Sequence, residues 1–216
     1  MIAPRLPPGL RLQTYDGAAW VGVVPFRMAG VMRRPFPDVP GVSAFLELNV
    51  RTYVEADGKP GVWFLSLDAA NTLAVWGGRN WFDLPYFNAR MRLEEHDGWI
   101  HYDSARTDAP AAEFRARYRA SSNPYRSQPD SFDHWLTERY CLYSFGRRSG
   151  LRRVEVHHQP WPLCPGEVEL ERNTMLEVHG LKPLRPEPVC HFARHLDVVV
   201  FPGERAGSGE PGLNRP

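Results

Sequence analysis

VSAFLELNVRTYVEADGKPGVWFLSLDAANTLAVWGGRNWFDLPYFNARMR, residues 42–92, is the stretch on which the fold turns. FLELNVRTYV (45–54) alternates strictly. Leu46, Leu48, Val50, Thr52 and Val54 take one face; Phe45, Glu47, Asn49, Arg51 and Tyr53 take the other. That period of two is the signature of a strand. EADGKPG (55–61) supplies a turn, and VWFLSLDA (62–69) predicts the partner strand. Asp68 is placed to cap a short helix over 69–76, Gly77 to end it, and residues 78–85 to form a loop. A further strand is expected from Tyr86.

Working outward, AAWVGVVPFRM (18–28) predicts a buried strand, after an extended, proline-rich lead-in over 1–12. MRRPFPDVPGV (32–42) predicts a loop. Downstream, NARMRLEEH and WIHYDSA flank Asp97-Gly98, a strong tight-hairpin signal. AEFRARYRA (112–120) alternates again, with Arg115, Arg117 and Arg119 on one face, and reads as a charged edge strand. DSFDHWLTER (130–139) predicts a two-turn helix capped by Asp130 or Ser131. YCLYSFG (140–146) and LRRVEVHH (151–158) predict an antiparallel pair. Residues 167–179 have helical character with Gly180 as their stop, and LDVVVF (196–201) predicts a last buried strand. These elements define an α+β, mainly β architecture: an antiparallel barrel with two or three short helices, not a βαβ fold. One domain is expected over residues 1–205, followed by a disordered tail over 206–216, with the Gly- and Pro-rich composition beginning at Gly203.

The totals exclude several classes. A chain of 216 residues with 43% hydrophobic residues and seven Trp supports a packed core. A net charge of +1 gives no global field for nucleic acid or membrane. No apolar run reaches the roughly 18 residues of a membrane helix, and the N-terminus has no signal-peptide core. Cys141, Cys164 and Cys190 form no C-x-x-C and suit reduced, buried thiols, so a cytoplasmic location is expected. Of 26 basic residues only Lys59 and Lys182 are lysine, which leaves two candidates for any amine chemistry.

FLELNVRTYV, GVWFLSLDA and GGRNWFDLPYFNARM, with WVGVVPFRM, LTERYCLYS, HHQPWPL and HFARHLDVVVFPGER, resemble the YqjF-like family of uncharacterised bacterial proteins, from about residue 6 to residue 205. The resemblance implies that relatives carry a short N-terminal piece ahead of the first motif. More distantly the chain is similar to the acetoacetate decarboxylase superfamily, which implies a cone-like antiparallel β-barrel around a central pocket. In those decarboxylases a segment G-R-E-x-x-G-x-P-K-K carries the Schiff-base lysine and a second lysine that activates it. The matching segment here is GRNWFDLPYF (78–87): Gly78, Arg79 and Pro85 hold, but Tyr86 and Phe87 stand where the lysines would be. Tyrosine forms no imine, so the lysine chemistry is not implied. Lys59, in a turn, and Lys182, after a helix stop, are expected on the surface.

The candidate pocket residues are Glu47, Asn49, Arg51, Tyr53, Arg79 and Tyr86. The polar trio Glu47, Asn49 and Arg51 shares a strand face flanked by Phe45 and Tyr53, a pattern that suits a partly apolar pocket wall. The family resemblance implies a cavity-facing glutamate at the position of Glu47. Desolvation would raise its pKa and fit it for acid–base work. Arg79 would be a fixed cation for a carboxylate, and Tyr86 a hydrogen-bond donor. The alternative is that Glu47 pairs internally with an arginine and only organises the barrel.

Other motifs are weaker. His157 and His158 point to opposite faces of a strand, and His191 and His195 lack the further ligands of a zinc site. Ser66 has no nucleophile-elbow setting. The arginine row could contact phosphates with Tyr118 and Trp135 as stacking partners, but Tyr118 faces away from it. No metal and no cofactor is expected. The partner expected is a small carboxylic or keto acid, without nucleic acid or membrane, with homo-oligomerisation left open. The alternative function is a non-catalytic structural or protein-interaction module.

Overall fold

The computed structural model describes residues 2–30 and 44–207. After a 3-10 turn at Ala3–Arg5, its elements begin with β1 (Arg11–Leu12), β2 (Val21–Met28), β3 (Phe45–Ala56) and β4 (Lys59–Ala69). Next come α1 (Thr72–Trp81), β5 (Tyr86–His96), β6 (Trp99–Arg106), β7 (Glu113–Ala120) and α2 (Phe132–Thr137). β8 (Cys141–Gly146), β9 (Gly150–His158), β10 (Cys164–Asn173), β11 (His191–Phe192), β12 (Val198–Val200) and β13 (Glu204–Arg205) complete the order. All thirteen strands join one sheet. The proline-rich stretch 32–42, expected as a loop, lies outside the described residues.

β4 organises the sheet. β3 pairs antiparallel along nearly its whole length, from Glu47↔Ala69 to Ala56↔Lys59. On the other edge β4 forks: Leu67–Ala69 pair with β5 and Val62–Trp63 with β8, both parallel. The antiparallel expectation therefore holds for the hairpins but fails at β4. The connection β4–α1–β5 is a βαβ crossover, needed because β5 must return to the same end of β4. A cleft of about 480 Å³ opens at the fork, between Trp63–Leu65, Leu84–Pro85 and Tyr143–Arg147.

Both faces of β3 are buried. Leu48 and Val50 enter one core with Tyr102, Phe114 and Met175, and Val54 enters a second with Leu10, Tyr143 and Leu151. The opposite face carries Glu47, Asn49 and Tyr53, which are also buried. An extra residue at Leu65 of β4 bulges the ladder between Val50 and Arg51, bending the strand pair at mid-length.

Several expectations fail for identifiable reasons. α1 starts later than predicted because Asn71, not Asp68, is its cap: the Asn71 side chain accepts from the N–H groups of Leu73 and Ala74 at 3.0 and 3.1 Å. Gly77 and Gly78 do not end the helix; they lie within it. A Cβ on Gly78 would meet the Tyr86 ring at 2.2 Å, so the glycine lets helix and strand close together. Residues 164–173 are strand rather than helix, since Glu167, Glu169 and Glu171 alternate opposite the arginines of β7. β7 is accordingly interior, not an edge. β12 ends the strand order on one side, and Val198, Val199, Val200 and Phe201 are each about half exposed rather than buried. At the end of the described chain β13 pairs with β9, and of the expected tail Gly207 donates its N–H to Asp57. α2 is capped by Ser131, one of the two residues expected.

Candidate functional site

The inner face of β3 is bounded by two helices. At one end Glu47 stands opposite Ala69, and Leu67, two residues back along β4, stands beside Tyr86 of β5. The Tyr86 hydroxyl donates to Glu47 Oε2 at 2.9 Å. Tyr102, wholly buried on β6, donates to the backbone carbonyl of Glu47 at 2.8 Å and fixes the strand there. Glu47 is only 3% exposed. Burial lifts its pKa to about 7, against the pull of the Tyr86 hydrogen bond and with help from the nearby Asp68 charge. Tyr86 is itself pushed up, first by burial and then by Glu47, so it remains a phenol that donates.

Along the same face the next side chain is Asn49, 5% exposed, whose Oδ1 has no hydrogen-bond partner. Arg51 follows, half-buried, with its Nε unpartnered. Tyr53 then packs on Trp135 of α2, ring centroids 4.6 Å apart, and α2 is anchored by Phe132 against Tyr15 and Trp20. Arg139 lies over both Tyr53 and Trp135, its guanidinium carbon 5.4 and 4.6 Å from the ring centroids. Sequence reasoning did not single out Arg139 for the site. Its only signal was a basic residue between the apolar turns of α2 and the apolar strand β8.

Arg79 is placed otherwise than expected. Its Nε donates to the Tyr86 carbonyl at 2.7 Å, and its Nη2 meets Asp108 at 2.5 Å. Asp108 also accepts from the Asn88 backbone at 3.0 Å. That backbone bond, more than the arginine, holds the Asp108 carboxyl below its usual range. The carboxylate that Arg79 holds is thus the protein's own, and the pair fixes the entry of β5 rather than offering a free cation.

A second polar cluster lies on the other face of β4. Asp68 and Arg106, both fully buried, form a forked pair, with Arg106 Nε 3.1 and 3.0 Å and Nη2 2.7 Å from the carboxylate oxygens. The Phe87 ring lies 3.9 Å from the Arg106 guanidinium carbon. Burial outweighs the guanidinium, so the Asp68 carboxyl still titrates above its usual range. Next to it His179 Nε2 is 3.1 Å from Ser66 Oγ, and burial, followed by the Arg106 and Arg5 charges, lowers the histidine pKa to about 4.

The remaining candidates do not converge. Lys59 Nζ meets Glu155 at 2.5 Å at the β3–β4 turn, and Lys182 is exposed. His158 is buried against the backbone carbonyls of Gln159 and Arg139 while His157 is exposed. His191 pairs with Asp133 and the exposed His195 with Asp197. Among the described residues no three metal-ligating side chains come together. Arg115, Arg117 and Arg119 are matched by Glu171, Glu169 and Glu167, which leaves no unpaired basic row for phosphates. No described helix is long and apolar enough to cross a membrane.

Residues 1–197 match the model of DUF2071, an uncharacterised conserved protein family. The chain belongs to this family. It is 44% identical over 197 residues to the uncharacterised protein YqjF of Bacillus subtilis (strain 168), covering 91% of this chain and 81% of that protein. Among solved structures it is similar to the acetoacetate decarboxylase of Legionella pneumophila, with a TM-score of 0.59 and 17% identity over 93% of this chain and 77% of that one. It is also similar to the enduracididine biosynthesis enzyme MppR complexed with pyruvate, with a TM-score of 0.57 and 16% identity over 95% and 83% of the two chains. The family member described here therefore has an acetoacetate decarboxylase-like fold, β-rich and with a mixed sheet.

Proposed function

We propose that the inner face of β3 binds a small organic acid or carbonyl compound, with Glu47 and Tyr86 at its centre, and that any reaction proceeds without a Schiff base. The observation that carries this reading is the Glu47–Tyr86 hydrogen bond of 2.9 Å. Its donor, Tyr86, stands in GRNWFDLPYF where the resemblance to the decarboxylases implies a lysine. A carboxyl with a pKa of about 7 exchanges a proton readily near neutrality, and the Tyr86 hydroxyl, donating to Glu47, holds that carboxyl in place. Pyruvate, which MppR binds, belongs to the proposed ligand class. A second reading, a protein-interaction module, draws support from the half-exposed apolar edge Val198–Phe201, a surface suited to another chain.

The test is a thermal-shift screen against small carboxylic and keto acids, followed by borohydride reduction of any hit. A ligand at 100 times its Kd stabilises by about 2.7 kcal/mol, a clear shift. The expected result is stabilisation by at least one such acid with no borohydride-trapped adduct by intact mass. An adduct on Lys59 or Lys182 contradicts the non-covalent reading.

A further inference from the structure

We infer that Arg51 and Arg139 form an oxyanion-binding subsite at the α2 end of the inner β3 face, built to take the carboxylate or phosphate of a small molecule. The inference deepens the small-acid reading and rests on it.

Arg139 is 8% exposed, and its Nη2 is buried with no partner. Its other donors go to neutral acceptors, Nε to the Trp135 carbonyl at 2.6 Å and Nη1 to the Gln13 side chain. Arg51 Nε is likewise buried and unpartnered. Neither guanidinium has a carboxylate within 4.0 Å among the described residues, although eight of the twelve other arginines on the described strands have one. Glu55, the acid further along the strand, is taken by Arg11 and by Gln13, which interposes its amide between Glu55 and Arg139.

The two cations share Tyr53 as a neighbour: Arg139 lies 5.4 Å from its ring centroid, and Arg51 precedes it on the same face of β3. Gly22 of β2 has no side chain, and Arg51 Cγ and the Tyr53 hydroxyl come within 3.6 and 3.7 Å of where its Cβ would be. Burial and the Arg51 charge together lower the Arg139 pKa to about 10. A buried Arg139 guanidinium beside the half-buried Arg51, neither with a carboxylate partner, is unfavourable in an empty protein. An oxyanion between them reverses that balance, since it accepts from both orphan N–H groups and offsets their mutual repulsion. Tyr53 and Trp135 wall the site with aromatic faces. Asn49 and then Glu47 lie farther along the same strand face, at about 7 and 13 Å by strand rise. A ligand anchored by its oxyanion at the arginines thus extends toward the Glu47–Tyr86 pair.

The test is calorimetric titration of the full chain and of Arg51→Gln, Arg139→Gln and Glu47→Gln. The probes are pyruvate, its uncharged counterpart methyl pyruvate, and inorganic phosphate. Pyruvate or phosphate is expected to bind, methyl pyruvate to bind at least about tenfold more weakly, and either arginine variant to weaken the anion at least about tenfold. Phosphate binding more tightly than pyruvate assigns the subsite to phosphate esters; the reverse order assigns it to carboxylates. Urea unfolding of the ligand-free variants separates binding from folding: R51Q is expected to be as stable as the parent or more so, because it relieves a repulsion. Anion binding that survives both arginine substitutions but is lost in E47Q overturns this subsite and leaves the Glu47 reading standing. If neither anion binds the parent chain, both are overturned.

Discussion

Replacing Arg106 by Met is expected to destabilise the protein by about 3–5 kcal/mol, the cost of leaving one member of a buried pair without its partner. Asp68 and Arg106 have no exposed side-chain surface, and the pair ties the middle of the sheet across β4 and β6. Asp68 already titrates above its usual range with the guanidinium present, so without it the carboxyl will take up a proton, which moderates the loss. Replacing both residues together, Asp68→Leu with Arg106→Met, should recover most of the stability, because two apolar side chains leave no charge to desolvate. Urea unfolding of the two single variants and the double variant measures the cycle. A cost below about 1 kcal/mol for R106M alone would mean the pair does not hold the sheet, since that is the range of exposed pairs.

The second large effect concerns pH. Glu47 has a folded pKa of about 7 against 4.5 for an ordinary glutamate. Its contribution to stability is therefore complete below pH 4.5 and is lost as pH rises through 7, because the unfolded chain ionises where the folded one resists. The full difference amounts to about 3 kcal/mol. His179 has the opposite sign: its folded pKa of about 4 lies below the ordinary 6.5. Its contribution is present above pH 6.5 and is lost as pH falls through 4, by a smaller amount because the ring is only partly buried. Between pH 4.5 and 6.5 the two slopes oppose each other, and the parent protein should be nearly flat. Glu47→Gln keeps an acceptor for Tyr86 and removes one slope. It should be more stable than the parent by about 2–3 kcal/mol at pH 8, with stability that rises as pH goes from 4 to 6.5. Denaturant midpoints at several pH values decide this; a Gln variant with the parent's profile contradicts the buried, protonated Glu47.

The legible parts of this protein were those with local chemistry. Strict alternation in FLELNVRTYV and the Asp97-Gly98 turn each report on neighbours within a few residues, and both led to the right elements. The same alternation placed Glu47, Asn49, Arg51 and Tyr53 on one face. Errors arose where tertiary partners overrode local signals. Asp68 reads as a helix cap until Arg106, 38 residues away, claims it. Gly77-Gly78 reads as a helix stop until the Tyr86 ring shows what the missing Cβ makes room for. Residues 167–173 also alternate with period two, but that signal was outweighed by helix-favouring glutamates whose partners lie on β7. Arg79 reads as a free cation for the same reason: sequence shows that a residue is cationic, not whether another part of the chain supplies its anion, here Asp108.

The central claim, that a small acid binds beside a half-protonated Glu47, is tested most directly by the proton balance of binding. Calorimetry of pyruvate at pH 7, in buffers of different ionisation enthalpy, reports protons taken up with the ligand. An anion arriving near Glu47 raises its pKa further, so the account predicts uptake of up to about half a proton per ligand, absent in Glu47→Gln. Binding without proton uptake, or with the same uptake in the Gln variant, would place the ligand elsewhere and contradict it.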